Sequence, residues 1–319
     1  MDTQDRLQLL ATIADLYYVE KRSQAEIADR YEYSRPTISR MLAEAHDKGL
    51  VEIRINYPLH RMVEMEAALR NRFGLAFVNV ADRSSLDYAR MLRLIGRLGA
   101  AYFDQLPTPG IIGVSWGTAV YEVVTSMQRR RVPGVRVVQM IGGVGDGAPH
   151  TDGPEVARLF AQALGGQHTL LSAPLVVSSR QMRDELMESR QVRDVLGLAM
   201  EADYALVGIG SVDKERSSLV RAGYLSVAEM AALEAAGAVG DVCGIHFDAA
   251  GRILDADVNE RRVGVDLVSL ADSACTVVGV AGGKVKAAAI LGALRAGFLD
   301  VLITDSNAAQ AILEMDGDE

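Results

Sequence analysis

The sequence predicts an α/β chain: a small helical unit at the front, then a doubly wound, mainly parallel sheet. Three observations predict it. From Gly74 onward, short apolar runs rich in Val and Ile alternate with longer amphipathic stretches, the rhythm of βα units. The stretch Ser23 to Leu42 reads instead as two short helices around a tight turn. The length, 319 residues, suffices for two domains. The expected division is 1–57 and 58–319.

The first helix is expected over 3–20, with Leu7, Leu10, Ile13, Ala14 and Tyr17 on its apolar side. Ser23 and Glu26 form a capping box, which starts a second helix by satisfying free backbone N–H groups. Ala25, Ile27 and Ala28 give that helix a small apolar face. Tyr31-Glu32-Tyr33 breaks the pattern, Ser34 caps a third helix, and Pro36 falls in its first turn where no N–H is missed. Ile38, Met41 and Leu42 face inward, so Arg35, Thr37, Ser39 and Arg40 face outward. This is the layout of a helix-turn-helix, whose second helix enters the major groove of DNA. The candidate DNA-binding residues are Ser23, Gln24, Ser34, Arg35, Pro36, Thr37, Ser39 and Arg40, the two arginines being suited to forked contacts with guanine edges or phosphates. The run from Gly49 to Ile55 alternates like a strand, completing the order of a winged helix-turn-helix. A plain helical hairpin with a solvated charged face is the competing interpretation.

Tyr57-Pro58 ends the wing. Residues 60–73 form an amphipathic helix with Met62, Met65, Ala68 and Leu69 on one side, a connector or dimerisation helix. Strands are expected at 75–81, 111–115, 135–141, 204–209, 242–247, 275–280 and 300–303. Helices are expected at 86–104, 117–129, 154–164, 180–200, 226–236, 284–296 and 306–313, with a polar, frayed end at Asp316 to Glu319.

Ligands of such sheets bind beyond the carboxyl ends of the strands. Four glycine-bearing loops stand there: Gly113 to Thr118; Gln139 to Gly143, followed by Gly145 and Gly147; Gly208 to Ser211; and Ala281 to Lys284. Ser115, Gly117 and Thr118 stand at a helix start, where backbone N–H groups and the dipole favour an anion. Trp116, the only tryptophan, suits a sugar face, and Asp241 could accept hydrogen bonds from sugar hydroxyls. Gly208-x-Gly210 lacks the third glycine of a dinucleotide fingerprint, because position 213 is Asp. Gly282-Gly283-Lys284 fails as a nucleotide P-loop, because Val278 replaces the first glycine and Val285 follows the lysine. Neither NAD nor ATP fits, and no cofactor is expected; a small phosphorylated or polyhydroxy ligand is.

Charge narrows the partners. The net charge is −9, which argues against general polyanion binding. In the first 57 residues eight Lys/Arg meet ten Asp/Glu, leaving −2, so placement of Arg30, Arg35 and Arg40 must carry any DNA contact. Cys243 and Cys275 are far apart and read as buried free thiols of a cytoplasmic chain. There is no signal core, no bilayer-spanning run, and no histidine at metal-ligand spacing.

The segments SQAEIADRYEYSRPTISRMLAEAHDKGLVEI, GVSWGTAV, VVQMIGG, ALVGIGSV, AVGDVCGIHFDAAGR and VVGVAGGKVKAAAILGALRAGFLDVLITDSNAA, taken together, resemble the SorC family of sugar-responsive bacterial transcription regulators. The resemblance covers nearly the whole chain. It implies a winged helix-turn-helix joined to a domain like glucosamine-6-phosphate deaminase, an operator DNA partner, a sugar-phosphate, sugar or polyol effector, and a homo-oligomer, usually a tetramer of paired dimers. It also implies phosphate-side contacts from Ser115, Gly117, Thr118, Gly282, Gly283 and Lys284, and hydroxyl-side contacts from Gln139, Gly142, Gly143 and Asp241. The chain departs from the family's Ser-Trp-Gly-x-Thr-Leu, having Ala119 and Val120 in the last two places. Either Thr118 supplies the hydroxyl one residue earlier, or the effector is bound with a weaker phosphate contact or none.

The expected function is therefore a transcription regulator of a carbohydrate or polyol operon, without catalytic residues. The alternative is a sugar-phosphate isomerase or deaminase with a helical extension. That chemistry needs a positioned acid/base group, and His150, His168 and His246 sit in no recognisable constellation.

Overall fold

Local capping sets the first helices. In the computed structural model, which describes residues 3–51, 60–83, 87–107, 110–143 and 152–317, Ser23 Oγ accepts the Glu26 N–H at 3.2 Å, and Glu26 Oε2 accepts the Ser23 N–H at 2.8 Å. The chain forms two compact units, Met1–Pro58 and Leu59–Glu319.

The first unit packs α1 (Thr3–Tyr18), α2 (Gln24–Tyr31) and α3 (Arg35–Asp47) around Leu10, Ile13, Leu16, Ile27, Ile38, Met41, Leu42 and Ala45. Glu32 takes the left-handed conformation (φ 57°) and ends α2, its N–H closing on the Ala28 carbonyl. Ser34 Oγ then accepts the Thr37 N–H at 3.3 Å and starts α3. Arg6 of α1 pairs with Glu44 of α3 at 2.5 Å. Ala25, assigned above to the apolar face, is exposed, because Ile27 and Ala28 alone point at the core. The expected wing strand falls, from Glu52 on, outside the described residues.

The second unit opens with residues 60–62 lying antiparallel along a strand edge, and with α4 (Val63–Phe73). The apolar side assigned to α4 needs one correction: Ala68 is exposed while Glu66 is buried. Glu66 is paired, accepting from Arg61 at 2.6 and 2.9 Å and from the Val80 N–H at 2.9 Å. It thereby caps the open edge of β1 (Phe77–Ala81). There follow α5 (Tyr88–Gln105), β2 (Ile111–Val114), α6 (Thr118–Ser126), β3 (Arg136–Gln139), α7 (Gly153–Leu164) and β4 (Gln167–Thr169). Next come α8 (Arg180–Glu188), α9 (Arg190–Met200), β5 (Tyr204–Gly208), α10 (Ser218–Arg221) and α11 (Val227–Ala235). The chain ends with β6 (Ala238–Val242), β7 (Ile245–Asp248), α12 (Asp257–Glu260), α13 (Leu267–Ala271), β8 (Thr276–Val280), α14 (Ala287–Arg295), β9 (Val301–Asp305) and α15 (Ser306–Gly317).

Seven strands form one parallel sheet in the order β1-β9-β8-β5-β2-β3-β4. Successive residues of β5 alternate between two cores: Ala205 and Val207 join the one with α4, α9, α14 and α15, Leu206 the one with α5, α6 and α7. Strands buried on both faces explain the continuous apolar runs. From β2 the chain builds outward through β3 to β4, then returns to β5 on the other side of β2 and proceeds through β8 and β9. The direction of winding thus reverses between β2 and β5, and a crevice opens there.

Four expectations change. The strand at 242–247 is a hairpin, β6 and β7, in its own two-stranded sheet, because Cys243 (φ 54°) and Gly244 (φ 76°) both turn left-handed and reverse the chain. The helix at 180–200 breaks at Ser189, whose extended backbone (ψ 137°) ends α8 and starts α9. The polar edge strand β4 carries no apolar run to announce it. The frayed end is instead the last turn of α15 as far as Gly317, with Asp316 held by Arg72 and Arg295.

Candidate functional site

On α3 Arg35, Pro36, Ser39 and Arg40 are exposed, with Thr37 half-buried beside them. Ser34 Oγ and Thr37 Oγ1 are 2.8 Å apart, and Arg40 Nη2 donates to Thr37 Oγ1 at 3.4 Å. The first turn of α3 contains no acidic residue. Ser23 and Gln24 lie at the start of α2, whereas Ser34, Arg35, Pro36, Thr37, Ser39 and Arg40 lie on the cap and first turns of α3.

The crevice between β2 and β5 holds a pocket that is open to solvent. Register brings its walls together, since Val114 pairs with Leu206. Ser115 is buried and fastens the two strand ends: its N–H donates to the Leu206 carbonyl at 3.0 Å, and its Oγ accepts the Gly208 N–H at 3.2 Å. Gly117 has φ 133°, a conformation for glycine, and starts α6 with no side-chain cap. The first N–H groups of α6 therefore stand free at the pocket wall, a site that favours an anion. Trp116 lines the same wall, and its indole N–H is buried without a partner.

Asp241 of β6 forms the facing wall. Its carbonyl accepts the Gly210 N–H at 2.7 Å, and its Oδ2 accepts the Gly244 N–H at 3.2 Å. A Cβ at residue 210 would lie 1.8 Å from Asp241 Oδ1, so the carboxylate occupies the space that glycine leaves. The hairpin turn behind it is held by Arg262, whose guanidinium donates to the Cys243 and Val265 carbonyls at 3.3 and 2.6 Å. Burial pushes the Cys243 thiol up to about 12, so this lining residue is a neutral wall.

The cation of the pocket is Lys286. Its Nζ donates to the Ile209 carbonyl at 2.6 Å, and burial, opposed by the charge of Asp241, pushes it down to about 8. Lys284, the lysine anticipated from the sequence, is exposed and outside the lining, because a 3-10 turn over Lys284–Lys286 swings the later residue inward.

Ser115, Trp116, Gly117, Thr118 and Asp241 are thus brought together, whereas Gln139, Gly142, Gly143, Gly282, Gly283 and Lys284 lie outside the lining. Gln139 is buried with its amide spent on backbone, donating to the Ile141 carbonyl at 2.8 Å and accepting the Leu171 N–H at 3.2 Å. Gly142 lets the Pro174 backbone approach; a Cβ there would be 2.3 Å from it. Gly143 donates its N–H to the Ala173 carbonyl. Gly282 makes room for Met91, and the Gly283 N–H donates to buried Asp305. Gly145, Gly147 and His150 lie outside the described residues. His168 is an exposed strand residue, and His246 is buried against Asn259, its Nδ1 at 3.3 Å from Oδ1. Among the described residues no group of three His, Cys, Asp or Glu could hold a metal ion. Ile141, from the anticipated Gln139–Gly143 loop, also lines the pocket, and Lys286, Ser218, Leu219 and Val280 line it without having been anticipated. Lys286 lay two residues beyond a candidate; Ser218 and Leu219 sit on α10, too short to give a periodic signal.

A sugar-binding domain family (Sugar-bind) matches residues 57–314. The deoxyribonucleoside regulator of Bacillus subtilis (strain 168) is 34% identical over 310 residues, covering 97% of this chain and 98% of that protein. The sorbitol operon regulator of Klebsiella pneumoniae is 31% identical over 317 residues, covering 98% and 100%. The crystal structure of the full-length sorbitol operon regulator SorC from Klebsiella pneumoniae matches with a TM-score of 0.73 at 30% identity, over 97% of this chain and 99% of that one.

Proposed function

The chain belongs to the SorC family of sugar-responsive transcriptional regulators, and from that premise we propose how it works. It is a DNA-binding regulator of a carbohydrate or polyol operon, controlled by a sugar-derived effector. Residues 1–57 bind double-stranded operator DNA: Arg35 and Arg40 reach base edges or phosphates, while Ser23, Gln24, Ser34, Thr37 and Ser39 position the helices on the backbone. Residues 58–319 bind the effector and assemble a homo-oligomer in the cytoplasm, pairing two recognition helices on a two-fold operator.

The observation that carries the effector reading is the polarity of one pocket. An uncapped helix start at Gly117 and the Lys286 ammonium offer it positive charge, and the Asp241 carboxylate offers a hydrogen-bond acceptor. A phosphate at the α6 end and hydroxyls at the Asp241 end match that polarity, with Trp116 beside the ring. Effector and operator change each other's affinity by the same factor, because coupling between sites is reciprocal. The chain acts by binding and not by turnover; conversion of a sugar phosphate by pure protein would restore the isomerase or deaminase alternative.

A thermal-shift screen of sugar phosphates and polyols tests the pocket. A true effector at one hundred times its dissociation constant adds about 2.7 kcal/mol of stability. Trp116 is the only indole, so its fluorescence then reports on one wall of the pocket. Saturable change at the calorimetric dissociation constant is expected. A flat trace through confirmed binding would remove the Ser115–Thr118 loop from the site.

A further inference from the structure

Helix α14 carries chemistry at both ends. Lys286 caps its N-terminus at the pocket, and Arg295 occupies its last turn. Nine helical residues separate the two ends by about 14 Å. Along that length the β6–β7 hairpin is pressed against it without slack. A Cβ at Gly240 would lie 2.4 Å from the Ala289 Cβ, one at Gly292 2.9 Å from the Phe247 ring, and one at Gly251 2.3 Å from the Ala296 nitrogen. Arg295 Nη1 also donates to the Ala249 carbonyl at 3.1 Å, beyond the far end of β7. Asp241 and Lys286, which both line the pocket, therefore belong to one tightly packed body, and close-packed interiors transmit strain.

At the far end of that body Arg295 Nη2 and Nε donate to Asp316 Oδ1 at 2.7 and 3.2 Å. The same carboxylate, through Oδ2, accepts from Arg72 Nε, and the Asp316 carbonyl accepts from Arg72 Nη2. Arg72 stands in the last turn of α4, the first helix among the described residues after α3. Three helices are thus joined by one carboxylate, which the two guanidiniums, Arg295 first, hold below the usual carboxylate range.

We propose that the Arg72–Asp316–Arg295 cluster is a coupling clamp that passes a shift of α14, set by occupancy of the pocket at Lys286 and Asp241, to α4 and so to the DNA-binding unit. It rests on the effector reading above. Coupling of this kind travels through packed side chains, ion pairs and rigid elements.

The test uses the full chain, a duplex that the wild-type chain selects from a randomised pool, and four probes: D-ribose 5-phosphate, 2-deoxy-D-ribose 5-phosphate, D-fructose 6-phosphate and D-sorbitol 6-phosphate. Anisotropy gives duplex affinity with and without each probe, and calorimetry gives probe affinity. In the wild-type chain at least one probe shifts duplex affinity, by about 5- to 150-fold. In Arg72→Gln, at a side chain 41% exposed, the shift falls to within about twofold of none, while probe binding persists. Arg72→Lys, which keeps a cation beside Asp316, retains part of the shift. Asp316→Asn, of the same shape, reports independently and is expected to lose it. A full shift in folded Arg72→Gln and Asp316→Asn overturns the clamp and leaves the effector reading standing. If no probe moves the wild-type duplex affinity, the effector reading falls and the clamp falls with it.

Discussion

The side chains proposed to meet DNA lie mainly on one helix and its cap, between Ser34 and Arg40, with Ser23 and Gln24 at the start of α2. The residues lining the proposed effector pocket come from separate segments, among them those at Ser115, Gly210, Ser218, Asp241 and Lys286. The first set is mostly exposed, and Ser34, Thr37 and Arg40 are joined by hydrogen bonds spanning three residues. The second is placed by strand register, by a hairpin, and by a glycine whose missing Cβ makes room for a carboxylate. A local site therefore tolerates single substitutions as changes in affinity, whereas the assembled site depends on contacts whose residues never touch the ligand.

The largest effect expected from this contrast is at the two neighbouring lysines. Lys286→Ala is expected to weaken a phosphorylated effector by about 1.5–3 kcal/mol, the range for a hydrogen bond to a charged group. Lys284→Ala, on an exposed side chain outside the lining, is expected to do little. Calorimetry of both variants with a phosphorylated effector and its unphosphorylated analogue checks this; equal losses for the two lysines would dissolve the distinction.

The same lysine gives the pocket a pH dependence. Above about pH 8 its ammonium loses its proton, so phosphate affinity is expected to fall with rising pH while the unphosphorylated analogue holds. The folded value, about 8, lies below the ordinary 10.5, so the fold disfavours the charged form. That cost is fully present below pH 8 and is relieved between about 8 and 10.5, where the unfolded chain binds the extra proton. From this group alone, stability rises across that window. Phosphate affinity that stays level from pH 7 to 9.5 would take Lys286 out of contact.

Arg40→Ala is expected to cost about 1–3 kcal/mol of operator affinity, the worth of a good base contact. Its exposed side chain predicts an unchanged thermal midpoint. A gel-shift titration that matches the wild-type chain would exclude Arg40 from the interface.

The smallest effect sharpens the local side of the contrast. Ser34→Ala removes the cap of α3 and is expected to cost about 1 kcal/mol of stability in the first unit. It also frees Thr37, which takes a hydrogen bond from Arg40, so a modest loss of operator affinity should accompany it. Urea unfolding with no shift in midpoint would show the cap to be energetically silent.

The sequence by itself determined whatever closes within a few residues or repeats with a fixed period. The capping box of Ser23 and Glu26, the cap at Ser34 and the turn at Glu32 are of that kind, as are the strands buried on both faces. So is the loop from Ser115 to Thr118, where a strand end, a glycine and a helix start are consecutive. The tertiary structure decided what depends on neighbours from elsewhere in the chain. Gly142 and Gly282 carry the same signal as Gly117, yet their missing side chains admit the Pro174 backbone and Met91 rather than opening a helix start to a ligand. Gln139 turns its amide to the Ile141 and Leu171 backbone. The chain around Asp241 reverses at two consecutive left-handed residues, one of them a cysteine, which no strand pattern announces. Lys284 and Lys286 are told apart only by the 3-10 turn and by the seating of α14 against Gly240. Periodicity and capping are properties of neighbouring residues; which of two lysines reaches a pocket is a property of how distant segments pack.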